Sequence, residues 1–268
     1  MKNLSITFAQ AKDETCIRNL LSEADLPFLD VGEHLPNFII ARDKGQVIGA
    51  VGIERLGKVG LLRSLVIAPR HRGKGIGTIL YDRILAYADL IGIKKLYLLT
   101  TTAENFFTKV GFTKIERGNI PRPIQLTKEF QSLCPETAVC MVKTIEKKVK
   151  HYPREILRLQ RDVPGAELWG IALEKVMFTY FEIQPYTTFE RHRHRSEQIT
   201  FVLEGKLFFE AVDSTVCVNA GDVIAIPSNV AHAAYTKEEW VKAIDAWSPV
   251  RRKLLKRSAN TDTTPLHD

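Results

Sequence analysis

The sequence predicts two units of different class in succession: an α+β unit with a mixed central sheet and flanking helices, then an all-β unit. Three observations carry this. Residues up to about 143 alternate strand-like apolar runs with segments of helical periodicity. Residues beyond about 154 form short apolar runs between turn signals, with no helix of length among them. Between the two lies VKTIEKKVKHYP, a charged run that ends in proline. The expected organisation is therefore 1–143, a linker at 144–153, a second unit at 154–258 and a flexible tail at 259–268, and a length of 268 residues agrees with two domains.

The totals narrow the class. With 45% hydrophobic and 26% charged residues the chain has the apolar mass for ordinary cores, which excludes a disordered protein. The start, MKNLSITFAQAKDET, turns polar too early for a signal peptide, and no apolar run approaches a membrane span, so a cytoplasmic protein without membrane contact is expected. Four scattered cysteines, Cys16, Cys134, Cys140 and Cys217, make no disulfide framework and read as reduced. Cys134 and Cys140, in SLCPETAVC, match no standard metal pair; ordinary buried cysteines outweigh a soft pair for trivalent arsenic. The net charge of +7 is uneven: residues 1–145 hold 20 Lys and Arg against 14 Asp and Glu, and residues 146–268 hold 18 against 17. The excess in the first part suits a polyanionic small molecule, and no recognition motif points to nucleic acid.

In chain order, residues 3–9 alternate as a strand, and a helix from Asp13 to about Asp25 has Ile17, Leu20 and Leu21 on its inward face. DLPFLDVGEHLP, with Pro27, Gly32 and Pro36, reads as a loop that can wall a substrate site and offers Glu33 and His34. FIIARD and QVIGAVGIER flank Lys44-Gly45 as a hairpin, and LLRSLVIAP follows as the next strand, interrupted by Arg63 and Ser64. Ile76, Leu80, Ile84, Ala88 and Ile91 recur at helical spacing. KKLYLLTT is a buried strand, closed by Thr100, Thr101 and Thr102; AENFFTKV is a short helix and GFTKIER a last strand. Arg63 and Thr101, at neighbouring strand ends, can line a cleft, where Arg63 suits a carboxylate or oxyanion.

Where the strand ending at Pro69 hands over to the helix from Ile76 stands RHRGKGIG. Gly73, Gly75 and Gly77 let the backbone approach a ligand, the unpaired N–H groups of the helix start face it, and Arg72 and Lys74 add charge, so this turn is an anion site. A P-loop would need Lys and Ser or Thr after the last glycine, and the dinucleotide fingerprint needs G-x-G-x-x-G; this run is neither. It is R-x-x-G-x-G, and the first half of the chain resembles the GNAT N-acetyltransferases, most closely the arsenic-resistance N-acetyltransferases through GLLRSL, LYLLTTTAENFF, GF and SLCP.

The resemblance implies acetyl-CoA as cofactor. Backbone groups of Leu65, Val66 and Ile67 would meet the pantetheine arm, and Arg72, Gly73, Lys74, Gly75, Ile76, Gly77 and Thr78 the pyrophosphate. The helix around Asn105 to Phe107 would lie beside the thioester. The tyrosine that in this family protonates the departing thiolate is replaced here by Phe107, next to Phe106, which leaves water or another group as the acid. Glu54 is nominated as the base that neutralises the attacking amine, with Glu33 and His34 in reserve.

In the second half, REILRLQ, AELWGIAL, KVMFTYFEI, QITFVLEGKLFFEAV, STVCVNAG and DVIAIP are the expected strands of a sandwich or small barrel. Within HRHRSEQITFVLEG, His192, His194 and Gln198 share parity, so on an extended strand they face one side, while Arg191, Arg193 and Arg195 face the other. GDVIAIPSNVAH adds His232. These segments resemble the two motifs of the cupins, a double-stranded β-helix, with departures at Pro185, at Asn229 and after His232. The resemblance implies one divalent metal held by His192, His194, Gln198 and His232, with Glu197 as the alternative fourth ligand. Zinc, nickel, iron and manganese all suit such a set, which is neutral and would favour an anionic external ligand.

Together these features predict a cytoplasmic, acetyl-CoA-dependent N-acetyltransferase for a small amine, by resemblance one of arsenic or organoarsenical resistance. Its cupin would sense or assist, and a homodimer is expected. The rival readings are a non-catalytic sensor of acetyl-CoA and metal, and an enzyme whose chemistry lies in the cupin.

Overall fold

The structure, a computed structural model, describes residues 4–146, 149–211 and 214–257. The chain divides into two units, Met1–Ile156 and Leu157–Asp268. The tail expected at 259–268 lies outside the described residues.

In the first unit the alternating run at the amino end forms β1 (Leu4–Phe8), followed by helix α1 (Glu14–Ser22) with Ile17, Leu20 and Leu21 buried as expected. The wall loop contains one helical turn, α2 (Val31–His34). Next come β2 (Phe38–Asp43), β3 (Gln46–Leu56) and β4 (Val59–Ile67), joined by tight turns. Helix α3 (Ile76–Leu90) buries Ile76, Leu80, Ile84 and Ala88 on the face read from the sequence. The remaining elements are β5 (Lys95–Thr100), α4 (Glu104–Lys109), β6 (Thr113–Lys114), α5 (Arg122–Gln125), a π-helical turn at Glu129–Leu133 and β7 (Val139–Thr144). They build a seven-stranded mixed sheet in the order β1-β2-β3-β4-β5-β7-β6.

Two features of this sheet depart from the sequence reading. GFTKIER gives only the two-residue β6, and AVCMVKT, which looks like the approach to a linker, is β7, inserted between β5 and β6. Thr144 pairs with Lys95 in that strand. The described part of the expected linker also belongs to the first unit: Lys150 bonds the Asp89 carboxylate, and the Tyr152 hydroxyl donates to it at 2.6 Å. In VKTIEKKVKHYP the strand ends at Thr144, and of the described residues beyond it Lys150 and Tyr152 are held against α3 through Asp89.

The parallel ladder between β4 and β5 covers only Val59↔Lys95, Gly60↔Leu96 and Leu61↔Tyr97. Beyond Leu61 β4 bulges: Arg63 is opposite Gly52, but the next pair is Val66 with Ala50, and Ser64 takes φ 60° to absorb the extra residue. The carboxyl halves of β4 and β5 are therefore not bonded to one another. Their unsatisfied edges line a cleft of about 460 Å³.

The second unit is all-β, as expected. Its strands are β8 (Gln160–Arg161), β9 (Ala166–Ala172), β10 (Met177–Ile183), β11 (Thr188–His192), β12 (Glu197–Glu204), β13 (Lys206–Glu210), β14 (Thr215–Asn219), β15 (Val223–Ile226), β16 (His232–Tyr235) and β17 (Val241–Ser248), closed by the short helix α6 (Arg252–Arg257). They form a six-stranded sheet, β15-β12-β17-β10-β9-β8, and a four-stranded sheet, β11-β16-β13-β14. Alternation along each strand puts Phe181, Val202, Ala243 and Trp247 of one sheet against Leu207, Phe209, Val218 and Ala234 of the other. Gly205 makes the β12–β13 turn at φ 76°, where an added Cβ would lie 2.3 Å from the Trp240 carbonyl oxygen, so only glycine fits.

Candidate functional site

In the first unit the cleft between β4 and β5 is lined by Leu65, Val66, Ile67, Arg72 and Gly77, and also by Arg63, Thr101, Phe106, Phe107, Glu129 and Cys134. Gly73 (φ 73°) and Gly75 (φ 78°) are left-handed, and nothing lies within 4 Å of a Cβ at either, so the backbone conformation and not crowding demands glycine. Gly75 caps α3, whose first internal bond runs from Ile79 N–H to the Gly75 carbonyl. The N–H groups of Ile76, Gly77 and Thr78 therefore have no acceptor a turn earlier and can receive an anion. Arg72 Nε donates to the Ile67 carbonyl at 3.0 Å, which ties the loop to the end of β4. Lys74 is exposed, whereas the side chains of Ile76 and Val66 are buried in core clusters, so only their main-chain groups can serve a ligand. Asn105 is exposed on α4. Phe107 is 6% exposed and packs edge-on against Phe106 and Phe112, an apolar wall where a phenol would offer a proton.

Beside this wall stands a buried polar cluster that the sequence reading saw only in part. Arg63 donates through Nη1 and Nη2 to the two carboxylate oxygens of Asp30, at 2.7 and 2.6 Å, and its side chain is fully buried. Arg63 Nε lies 3.1 Å from Glu129 Oε2, and Nη1 lies 3.8 Å from Glu54 Oε2. His34 Nε2 is 3.8 Å from Asp30 and 3.6 Å from Glu54. This corrects the expectation for Arg63: its fork is committed to Asp30, so it does not receive a substrate carboxylate. Glu33 is exposed and paired with Lys128 at 2.5 Å, at the edge of that network, where its charge still acts on His34 and Glu54.

Three carboxyl groups share one guanidinium here, and their ionisation diverges. Burial alone would raise the Asp30 carboxyl, but the Arg63 fork outweighs it and holds the group below its ordinary value. Glu54 is raised by burial, with Arg63 offsetting only part. Glu129 is pushed up to about 7 by burial against the pull of Arg63. Burial and Arg63 lower His34, which is therefore a neutral imidazole at pH 7. Cys134 lies 3.9 Å from Glu129 Oε1, and burial followed by that carboxylate pushes its thiol up to about 12, so it is a protonated thiol at pH 7. Asp30 and Glu129 were missed because neither sits in a periodic segment or motif.

In the second unit His192 ends β11, Gln198 lies on β12, and His232 begins β16 opposite His192. The shared parity thus works across a corner between two sheets and not along one strand. Alternation nevertheless holds through 191–198: Arg191, Arg193, Arg195 and Glu197 are exposed, and Gln198 is buried, so Gln198 and not Glu197 faces the cluster. Nitrogens of His192, His194 and His232 lie within 4.8 Å of one another. Each ring has its Nδ1 against a main-chain carbonyl: Glu190 at 2.8 Å, Ser196 at 2.7 Å and Val230 at 2.9 Å. A carbonyl only accepts, so Nδ1 carries the proton in all three rings and the Nε2 lone pairs are left for a Lewis acid. Burial lowers His194 and His232, the latter helped by His192, which keeps both neutral at pH 7.

The donor set fits a divalent metal on one further contact. His194 Nε2 stands 3.0 Å from Gln198 Oε1. Both atoms are acceptors, so the contact is favourable when a cation sits beside the pair. The cluster opens into a cavity of about 660 Å³ walled by Phe181, Phe189, Leu207, Phe209 and Trp247. The Arg251 guanidinium stands 4.6 Å above the Trp247 ring in that cavity.

A profile of the acetyltransferase (GNAT) family matches residues 7–112, and one of the cupin domain matches residues 179–245. The chain is 33% identical over 118 residues to an uncharacterized N-acetyltransferase of Chlorobaculum tepidum, covering 42% of this chain and 74% of that protein. It is 32% identical over 74 residues to an amino-acid acetyltransferase of Escherichia fergusonii, covering 28% of this chain and only 17% of that longer protein. N-acetylglutamate synthase from Neisseria gonorrhoeae, complexed with coenzyme A and L-arginine, aligns with a TM-score of 0.48 at 21% identity, over 54% of this chain and 34% of that one. An RmlC-like cupin from Shewanella frigidimarina aligns with a TM-score of 0.37 at 21% identity, over 40% of this chain and 98% of that one.

The raised Glu129 carboxyl has a consequence for stability. It ionises near 4.5 when unfolded and near 7 when folded, so its contribution is complete below about 4.5 and is lost as pH rises to about 7. Glu129→Gln cannot ionise and is expected to remove a decline on the order of 3 kcal/mol across that window. Urea unfolding of both proteins at pH 4.5, 6 and 7.5 measures it; parallel profiles would show that Glu129 is ionised at all three.

Proposed function

The chain belongs to the acetyltransferase (GNAT) family through its first unit, and we propose that it transfers the acetyl group of acetyl-CoA to a small amine in the β4–β5 cleft. One observation carries the reading: a single cleft is lined both by Arg72 and Gly77 of the anion-binding turn and by Arg63 and Glu129 of the buried carboxylate cluster. Acetyl-CoA, when bound, supplies an activated thioester carbonyl. Main-chain N–H groups of 73–78, with Arg72 and Lys74, hold its pyrophosphate, and the open edge of β4 at Leu65, Val66 and Ile67 lies along its arm. Phe107 lines the cleft beside the reacting end, and Asn105 is exposed on the same helix.

Glu54 is the base that takes the proton of the attacking amine. Its raised carboxyl lies next to the neutral His34, in a cluster rich in acceptors for an ammonium group. Glu129 is a second reading, favoured because it lines the cleft and ionises near 7. Water protonates the departing thiolate, since among the described residues no tyrosine lines the cleft. Of the expected substrate contacts Glu33, His34, Arg63 and Thr101, the cleft is lined by Arg63 and Thr101, and with Arg63 closed to carboxylates Thr101 is the one left to touch the substrate there. The likeness of GLLRSL and LYLLTTTAENFF to arsenic-resistance enzymes puts organoarsenical amino acids among the amines to try.

The second unit, in this reading, is an accessory or sensing cupin that holds one divalent ion through His192, His194, Gln198 and His232. The homodimer would form on the outward face of the six-stranded sheet, where Ile199, Phe201, Leu203, Phe178 and Val223 are each more than a third exposed.

Thiol release from acetyl-CoA across an amine panel is expected with the wild type and to be lost in Gly75→Glu, whose new side chain must adopt a left-handed backbone. Acetyl-CoA bound without release on any amine would favour a sensor. In the pH profile of kcat/KM, Glu54→Gln is expected to lower the rate about 10²–10⁴-fold and to abolish the acidic limb; loss of that limb in Glu129→Gln instead would make Glu129 the base. Metal analysis of dialysed protein should find one ion per chain, and none in His232→Ala. Sedimentation should find a dimer that Phe201→Asp converts to monomer; a wild-type monomer would refute that interface.

A further inference from the structure

Gln198 is a difficult ligand, because its amide has two ends of similar shape and opposite polarity. Only the oxygen can bind a cation; turned by 180°, the amide presents N–H groups to the imidazoles. On Gln198 the choice is made from behind. Its Nε2 donates to Thr200 Oγ1 at 2.9 Å, and the Thr200 hydroxyl donates to Asp245 Oδ1 at 2.5 Å. A hydroxyl that gives its proton to a carboxylate has only lone pairs left to offer, so the amide must turn its N–H₂ toward Thr200 and its oxygen toward His194.

The setting supports a dedicated arrangement. Gln198, Thr200 and Asp245 are all buried, at 6%, 1% and 6% exposure, and Thr200 and Asp245 are directly paired across β12 and β17. A carboxyl buried there costs stability unless it is hydrogen-bonded, which ties Asp245 to its partners. Around Asp245 the other charged groups are Arg251 and Asp162, which line the same cavity; its carboxyl is reached by hydrogen bonds from both Thr200 and Gln198, so the amide N–H₂ is drawn to that side.

We propose that Thr200 and Asp245 are positioning residues of the second unit: the chain Asp245–Thr200–Gln198 fixes the Gln198 amide with its oxygen toward the three imidazoles and so sets the affinity of the site for a divalent ion. The inference rests on the metal reading of that site and adds to it a requirement for two residues that touch no ion.

The test measures Zn²⁺ affinity by chelator competition on the full chain, with the visible spectrum of Co²⁺-loaded protein as a second readout of the ligand set. Thr200→Val keeps the shape and removes the acceptor; it is expected to weaken Zn²⁺ about 10–100-fold and to change the Co²⁺ spectrum. Thr200→Ser restores the hydroxyl and should restore both. In Gln198→Glu, whose two oxygens are equivalent, adding Thr200→Val should cause no further loss. Asp245→Asn, which can donate to Thr200 and release its proton toward the amide, should weaken Zn²⁺ as well, and it serves if Thr200→Val does not fold by circular dichroism. Folded variants that bind Zn²⁺ as tightly as wild type, with unchanged spectra, would overturn the relay while leaving the metal site standing. A wild type that takes up neither ion would overturn both.

Discussion

The first unit depends on the early end of the parallel ladder between β4 and β5. Three residue pairs hold these strands together, after which the bulge at Ser64 turns β4 aside. Strand edges left unpaired in a core are costly unless something bonds them, and here they face a cleft. The same departure places the Arg72–Thr78 turn at the end of β4 and sets the positive end of α3 against that opening. A continuous ladder would have produced a more regular sheet and no room for a ligand.

Arg63 shows how a strand's chemistry can be diverted. On β4 its side chain turns into the unit, where leaving a guanidinium unpaired would be prohibitive, and Asp30 of the wall loop satisfies it with two parallel bonds. That pair anchors a loop otherwise built around Pro27, Gly32 and Pro36. With the positive charge spent on Asp30, Glu54 and Glu129 are left with only a distant or poorly aligned share of it, and burial raises both. A structural ion pair thus leaves, as its by-product, two neighbouring carboxyl groups raised above their ordinary values.

The second unit obtains a comparable result with neutral groups. Three imidazoles each have Nδ1 held by a main-chain carbonyl, and their rings come together because β11 and β16 are paired at His192 and His232 while the 193–197 corner delivers His194. No charged group is part of the donor set; the buried Asp245 carboxyl stands behind it, bonded to Thr200 and Gln198.

By itself the sequence determined the two fold classes, the inward faces of α1 and α3, the glycine turn at the start of α3, and the shared parity that leaves Gln198 buried and Glu197 exposed. These follow from periodicity, parity and glycine spacing, which are local and survive in one dimension. Only the tertiary structure decided that AVCMVKT is a strand inserted between β5 and β6 and not the edge of a linker, because a five-residue apolar run next to a charged one reads alike in both settings. It also decided the partners of Arg63. Asp30, Glu54 and Glu129 come from a loop, a strand and a π-helical turn up to 99 positions apart, and ion pairing across such distances leaves no spacing in the chain to read. The orientation of the Gln198 amide was equally hidden, since it is set by Asp245, a residue 47 positions away that meets Thr200 only when β12 and β17 pair.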